Sequence, residues 1–322
     1  MIAEPYKVLV TGAAGFVGSA LMYSLKQRDH INPIGIVRHQ LSDPLIPYSI
    51  NSVGDMDNAT DWTSVLSGIQ VIIHTVGRAH VMNDSAEDPL DEYRSVNVGV
   101  TINLARQAAE AGVKRFIYIS SIKVNGEQSA EGKPFTADDI PLPEDPYGIS
   151  KFEAERGLQE LAESTGMDIV IIRPPLVYGP GVKGNFASMV RLVGKGLPLP
   201  LGAVYNKRTL VALDNLVDLI VTCVDHPAAA NQVFLAGDAE DLSTTELLRG
   251  VAKAMGKPCR LVPVPSFILR LGAILLGKKA LAQRLLGSLR VDISKNSELL
   301  GWKPPLTVEE GLKRCFVSEK NQ

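Results

Sequence analysis

The chain has 322 residues and a mass of 34.7 kDa, enough for two domains or one large α/β unit with an appended lobe, so a single small module is excluded. Its 33 basic and 35 acidic side chains leave a formal charge of −2 and form no long like-charged block. That pattern argues against a nucleic-acid or anionic-membrane partner and makes small molecules the expected ligands.

The N-terminal MIAEPYKVLVTG runs straight into an apolar strand without a basic-then-apolar leader, and no run reaches the ~20 apolar residues of a membrane span. Cys223, Cys259 and Cys315 are odd in number, widely spaced and in no metal-ligand pattern. A cytoplasmic chain with reduced thiols, no metal and no integral membrane segment is expected.

Short β-branched runs follow in order: KVLVT (7–11), PIGIV (33–37), VIIH (71–74), RFIYIS (115–120) and DIVIIR (168–173). Each except the last leads clearly into helix-like sequence, and each reads as continuously apolar, as a strand buried on both faces must. The pattern predicts an α/β fold in which residues 1–180 build a doubly wound parallel sheet with crossover helices. After RPPLVYGPG (173–181) the pattern loosens. Residues 181–322 are expected to form mainly a smaller lobe, interleaved with the sheet because VFLAG, within 232–237, can add a late strand. The stretch SFILRLGAILLGKKALAQRLLGSL (266–289) is strongly apolar, with Arg270, Lys278, Lys279 and Arg284 scattered through it. Gly272 and Gly277 break it into short segments, which favours core or lid helices; a helix pair lying on a membrane surface is the competing reading.

The first strand runs into VTGAAGFVGSAL (10–21), with Gly12, Gly15 and Gly18 at a spacing of three. Glycine lets the turn bend, lets backbone amides approach a pyrophosphate and lets the helix pack close to the strand. Because the triplet follows a strand and opens a helix, it predicts dinucleotide binding, with Phe16 and Val17 in the same turn. The second strand ends IGIVRH (34–39), placing Arg38 where an NAD site usually has an acid. An arginine there suits a 2′-phosphate and favours NADP over NAD, unless it only stacks on the adenine or is solvated. Asp55 and Met56, in GDMD (54–57), are candidates for the adenine side; Asp55 reads equally as a helix cap.

In PYGISKFEAE (146–155), Tyr147 and Lys151 stand four apart. On a helix they share one face, where an ammonium stabilises a phenolate and lowers its pKa. The plain alternative is a helix start at Pro146 with its Lys and Glu in solvent.

Taken with TGAAGFVG, the tandem SS at 120–121 and a late LGWKP (300–304), YGISK makes the chain resemble the extended short-chain dehydrogenases, specifically the nucleotide-sugar epimerase and 4-ketoreductase branch. The resemblance spans nearly the whole chain. It implies a Rossmann domain, a C-terminal lobe that binds a UDP-sugar, and hydride transfer between a nicotinamide and a sugar carbon. SSIKVNG (120–126) resembles the family's S-S-x-x-V-Y-G, which makes Ser121 the hydroxyl that orients the reacting oxygen and sets Ser120 beside the cofactor. Tyr147 then moves the sugar hydroxyl proton, while Lys151 lowers its pKa and holds the nicotinamide ribose.

The resemblance further implies cofactor contacts from Thr75, Val76 and Gly77, a bracing role for Asn97 and packing of Pro175 on the nicotinamide. His74 and His80 read as packed or capping residues. Asn185 resembles a diphosphate-binding Asn at a helix start, and Arg208 the Arg of R-x-x-x-H-V-x-D, here without the His. Arg290 and Asp292 are the remaining uridine-side candidates. Lys123 stands where the family usually has Ser or Thr, which affects how sugar hydroxyls are held. Leu289 falls near an aromatic position that restricts the sugar pocket in some relatives, so a smaller side chain there admits a 2-acetamido group.

Three functions follow. The preferred one is NAD(P)-dependent redox at C4 of a UDP-sugar, a UDP-HexNAc or its 6-deoxy-4-keto form, leaning to reduction of the 4-keto sugar by NADPH with Tyr147 as proton donor. The second is 4-epimerisation with tightly held NAD, and the remote third is a non-catalytic dinucleotide sensor. A homodimer, formed through two helices that include the one at Tyr147, is implied by the resemblance alone.

Overall fold

The computed structural model describes residues 5–39, 48–78 and 88–316. His80 lies outside them. Strand β1 (Tyr6–Thr11) leads through the glycine turn into helix α1 (Phe16–Lys26); β2 (Ile31–Val37), β3 (Ser49–Ser52), the short α2 (Thr63–Leu66) and β4 (Val71–His74) follow. Helix α3 (Pro89–Arg94) passes through a π-helical turn, Ser95–Val100, into α4 (Thr101–Glu110), and then comes β5 (Arg115–Ile119). The long α5 (Pro146–Thr165), β6 (Asp168–Arg173) and β7 (Leu176–Tyr178) complete the first half. The second half contains α6 (Gly184–Gly194), β8 (Leu210–Ala212), α7 (Leu213–Asp225), β9 (Gln232–Leu235) and α8 (Thr244–Ala254). It ends with α9 (Ser266–Leu275), α10 (Lys279–Leu286), α11 (Ser294–Leu300) and α12 (Val308–Arg314).

Seven strands form one parallel sheet in the order β3-β2-β1-β4-β5-β6-β9, as a doubly wound fold requires. The expected late strand is β9, which pairs with β6. Successive residues of a strand point to opposite faces, and the cores divide accordingly. Val8, Val10, Ile73, Ile117 and Val170 pack on one face with α1 and α7. Leu9, Ile72, Phe116 and Ile169 pack on the other with α4 and α5. A third core, around Tyr178, Phe186, Leu248 and Leu312, joins the small sheet β7-β8 to α6, α8 and α12. Strand order reverses between β1 and β4, and in such sheets ligands bind in the crevice beyond the strand ends at that point.

The 266–289 stretch does fold as two short helices parted at Gly277, whose φ is +68°. They are not core helices. α9 has no buried residue and α10 has only Leu286. The lobe's core closes without the hairpin, which is tied down near its ends. Ser266 Oγ donates to Ala203 O at 3.4 Å, and Thr244 Oγ1 to Leu285 O at 2.6 Å. Among the described residues no helix is long and apolar enough to cross a membrane, and no His, Cys, Asp and Glu cluster could hold a metal.

Candidate active site

The glycine turn caps the crevice at the end of β1. Gly12 has φ +72°, a conformation side chains resist, and a Cβ there would lie 2.6 Å from Thr75 Oγ1. At Gly18 a Cβ would stand 2.1 Å from Gly12 O, closer than atoms can approach, so only glycine lets α1 begin against the strand. Gly15 supplies the N-cap with no side-chain hydrogen bond. The first-turn amides of α1, from Phe16 and Val17 onward, therefore face the crevice as a site for an anion.

The segment after β5 brings the candidate hydroxyls to the same edge. Ser121 caps the short helical turn Ile122–Val124, and Ile122 N donates to Pro174 O at 3.0 Å, which ties this loop to the end of β6 next to the buried Pro175. Tyr147 enters on the first turn of α5. Pro146 starts that turn, and Asp145 caps it by accepting from Gly148 N at 2.7 Å. The Ser121 hydroxyl lies on the Tyr147 side of this loop and lowers the phenol's pKa, and the Tyr93 ring meets the Tyr147 ring edge-on at 5.9 Å.

Lys151 lies one turn further along α5, buried, with Nζ donating to Ile119 O at 2.9 Å and standing 4.6 Å from the centre of the Tyr118 ring. Here the electrostatics differ from the sequence expectation. Burial pushes the Tyr147 phenol up to about 12, against a lowering by the Ser121 hydroxyl, and Lys151 is not among the groups that shift it. Burial also pulls the Lys151 ammonium down to about 8, while Glu155 raises it. The shared helical face is real, but the ammonium is directed at the Ile119 carbonyl and the Tyr118 ring.

A polar layer that sequence reasoning missed lies beneath these groups. The buried Glu155 takes two hydrogen bonds from Arg173, at 3.0 Å from Nε and 2.6 Å from Nη2, and a short one from Ser120 Oγ. Arg173 also reaches Asn125 Oδ1 at 3.0 Å. Across β4, His74 bridges Thr11 Oγ1 at 2.7 Å and Thr101 Oγ1 at 3.0 Å. Burial, and secondarily Lys151, holds the imidazole at about 3, so it is neutral and packed as the sequence suggested. The only signal for the Glu155 pair in the sequence is an acid eight residues beyond Tyr147 on one face of α5 and an Arg ending a buried strand.

Asn97, on the π-helical turn, bridges the loop after β4 to α5. Its Oδ1 accepts from Arg78 N at 2.8 Å, and its Nδ2 donates to Arg78 O at 3.2 Å and Ser150 Oγ at 2.9 Å. Gly77 lies close by, where a Cβ would meet Lys151 Nζ at 3.1 Å. Thr75 Oγ1 donates to Thr11 O at 2.7 Å, and Val76 lines the Gly12 turn. The hydroxyl of Ser120 donates to Glu155 and its N–H to Ile172 O at 2.8 Å, so both of its donors are used within the fold.

At the adenine end, Arg38 Nε lies 3.5 Å from Asp55 Oδ1, and both side chains are exposed. Arg38 is thus already paired with a carboxylate, which opposes a 2′-phosphate at the same place, and Asp55 caps no helix. Met56 is partly buried against the α4 face of the sheet.

On the lobe side, Asn185 is exposed on the first turn of α6. Arg208 donates from Nη1 to Gly287 O at 3.1 Å, and its pKa is lowered by burial. Lys123, expected to meet sugar hydroxyls, is held by Glu127 at 2.7 Å and by Asp145. Arg290 pairs with Asp241 at 2.6 Å, and Asp292 accepts from Ser294 N at 2.8 Å at the start of α11. These three side chains have structural partners before any ligand is considered. Leu289 is buried with Ile122, Ala137, Leu235 and Val291, directly under the Ser121 loop.

A sheet of this order, with its glycine turn at the switch point and a Tyr-x-x-x-Lys helix beside it, defines the class of extended short-chain dehydrogenases. The comparisons with known proteins narrow it. The model of the NAD dependent epimerase/dehydratase family matches residues 8–237, and the chain belongs to that family. It is 51% identical over 324 residues to a UDP-glucose 4-epimerase of Vibrio cholerae, covering 99% of this chain and 98% of the relative. It is 29% identical to a UDP-glucose 4-epimerase of Mycolicibacterium smegmatis, covering 98% and 100%. Among solved structures, UDP-glucuronic acid 4-epimerase from Bacillus cereus in complex with UDP-glucuronic acid and NAD aligns with a TM-score of 0.77 at 25% identity, covering 96% of this chain and 97% of that one. The chain is an enzyme of this family, which removes the sensor reading.

Proposed function

We propose that the protein is a UDP-sugar 4-epimerase that uses NAD, with UDP-glucose as its first candidate substrate. The observation that carries this reading is the 51% identity, over 99% of the chain, to the Vibrio cholerae UDP-glucose 4-epimerase. It displaces 4-keto reduction by NADPH, whose main support was an arginine free to take a 2′-phosphate. Arg38 is engaged with Asp55 instead.

The crevice suits NAD on its own geometry: a tight glycine turn that any Cβ would fill, and a helix start with no side-chain cap. Gly12, Gly15, Phe16, Val17 and Gly18 would hold the diphosphate; Arg38, Asp55 and Met56 would flank the adenosine. Thr75, Val76, Gly77, Asn97, Ser120 and Pro175 would form the wall along the nicotinamide half, Asn97 by positioning. When bound, NAD supplies the acceptor and donor for the C4 hydride. Tyr147 takes the proton of the C4 hydroxyl and returns it after the sugar has turned over; the reaction is redox-neutral because the hydride lost from C4 also comes back to it. Ser121, on the same edge as Tyr147, orients that oxygen. Lys151, its Nζ anchored at Ile119 O one turn along α5 from Tyr147, would hold the nicotinamide ribose.

The third core, built mainly from residues 181–322, serves in this proposal as the UDP-sugar lobe. Asn185 and Arg208 are its candidate nucleotide contacts, with Lys123, Arg290 and Asp292 as supports. Dimerisation through the helix of Tyr147 belongs to the same proposal.

Two parallel assays test it: UDP-glucose and UDP-GlcNAc with catalytic NAD, and an enzymatically made UDP-4-keto-6-deoxy-HexNAc with NADPH. Formation of a C4 epimer with no net change in nicotinamide absorbance is expected. Stoichiometric loss of NADPH in the second assay, with no epimer in the first, would restore the reductase reading.

A further inference from the structure

Between Glu246 and Asp292 the chain has no Asp or Glu and nine Lys or Arg. At the overall share of 35 acids in 322 residues, about five would fall in a stretch this long. The near-neutral total therefore hides a local segregation of charge, which corrects the inference drawn from composition.

The α9–α10 hairpin lies within this stretch. Phe267, Leu271, Ile274 and Leu275 recur at helical spacing along one side of α9. They are 70, 59, 58 and 79% exposed, and Leu276 and Leu281 extend the apolar surface through the Gly277 turn into α10. Arg270, Lys278, Lys279 and Arg284 are all exposed on the same two helices and their turn. None of the four makes an ion pair with a described residue.

The chemistry of the patch selects its occupant. In a twofold dimer it would meet itself, setting four cations against four with no carboxylate between them. Insertion across a bilayer needs ~20 residues, whereas α9 and α10 have 10 and 8. A bilayer surface bearing anionic headgroups meets both requirements: apolar side chains enter the acyl boundary and cations meet the phosphates.

We propose that the hairpin docks the enzyme peripherally on an anionic phospholipid bilayer. The contact would border the candidate nucleotide side, because Gly287, at the end of α10, accepts from both Asn206 and Arg208.

Flotation of the purified full chain with vesicles tests this. Vesicles of equal parts phosphatidylglycerol and phosphatidylcholine should carry the protein at low salt at least about tenfold better than phosphatidylcholine alone, and added salt should release it. The variants Leu271→Ser/Leu275→Ser and Lys278→Glu/Lys279→Glu should each lower binding at least about tenfold, with sugar turnover in solution unchanged. Binding no better than to phosphatidylcholine, or binding that survives both variants, overturns the proposal. So does a parent that ignores vesicles but loses a dimer on Leu271→Ser/Leu275→Ser, since the patch would then join copies of the chain.

Discussion

The floor of the candidate active site and the α9–α10 hairpin depart from the usual partition of side chains in opposite directions. Under Ser121 and Lys151 the chain buries Glu155, Arg173, Asn125 and His74, and each finds a hydrogen-bond partner. On the hairpin it exposes Phe267, Leu271, Ile274 and Leu275 while its own lobe core closes elsewhere. Buried charges are tolerated only when paired, and an open apolar patch on a soluble surface marks a contact to come. The first departure is answered inside the molecule. The second requires something outside it.

The largest expected effect separates the regions by activity. Tyr147→Phe should lower kcat by about 10²–10⁴-fold, the range for loss of a positioned acid-base group, with little change in thermal midpoint. Full turnover in this variant would remove Tyr147 from the chemistry.

The next effect separates them by stability. Glu155→Ala leaves Arg173 charged and buried, so urea unfolding should show a loss of about 3–5 kcal/mol. Leu275→Ala, on the hairpin, should stay within about 0.5 kcal/mol. Equal losses would break the comparison.

A smaller effect appears as a slope. Lys151 titrates near 8 when folded and near 10.5 when unfolded, so between those values the unfolded chain binds the extra proton. Stability from this group therefore rises with pH across that window, and below it the cost of burying the ammonium is fully felt. Relative to Lys151→Met, the wild type should gain up to about 1.4 kcal/mol per pH unit between pH 8 and 10.5, measured by denaturant titration at each pH. A flat difference would mean that Lys151 is not titrating there.

Smallest of all, Arg38→Ala removes an exposed ion pair and should change stability by no more than about 1 kcal/mol. It should also leave NAD preferred over NADP in equilibrium binding. A large selective loss of NADP affinity would reinstate Arg38 as a phosphate ligand.

Local periods made much of this legible. The strand runs, the glycine turn and the Tyr-x-x-x-Lys helix each lie within a few residues of sequence, and the sheet places them together as read. What escaped depends on contacts between distant segments. Glu155 meets Arg173 only because α5 packs over β6, and Arg38 meets Asp55 because β2 and β3 end side by side. The spacing of Tyr147 and Lys151 gave the shared face but not the Ile119 carbonyl and Tyr118 ring that draw the ammonium. Periodicity likewise gave the hairpin's helices without saying whether their apolar side turns inward, and a total charge of −2 said nothing about its distribution.

The most direct test of the central claim is a proton NMR spectrum of UDP-glucose incubated with the purified enzyme and NAD in large deficit. The account predicts UDP-galactose in many-fold excess over total nicotinamide, with no accumulation of NADH, since each hydride removed from C4 returns to it. Product that stops at the amount of cofactor, or no C4 epimer from any UDP-hexose, would contradict it.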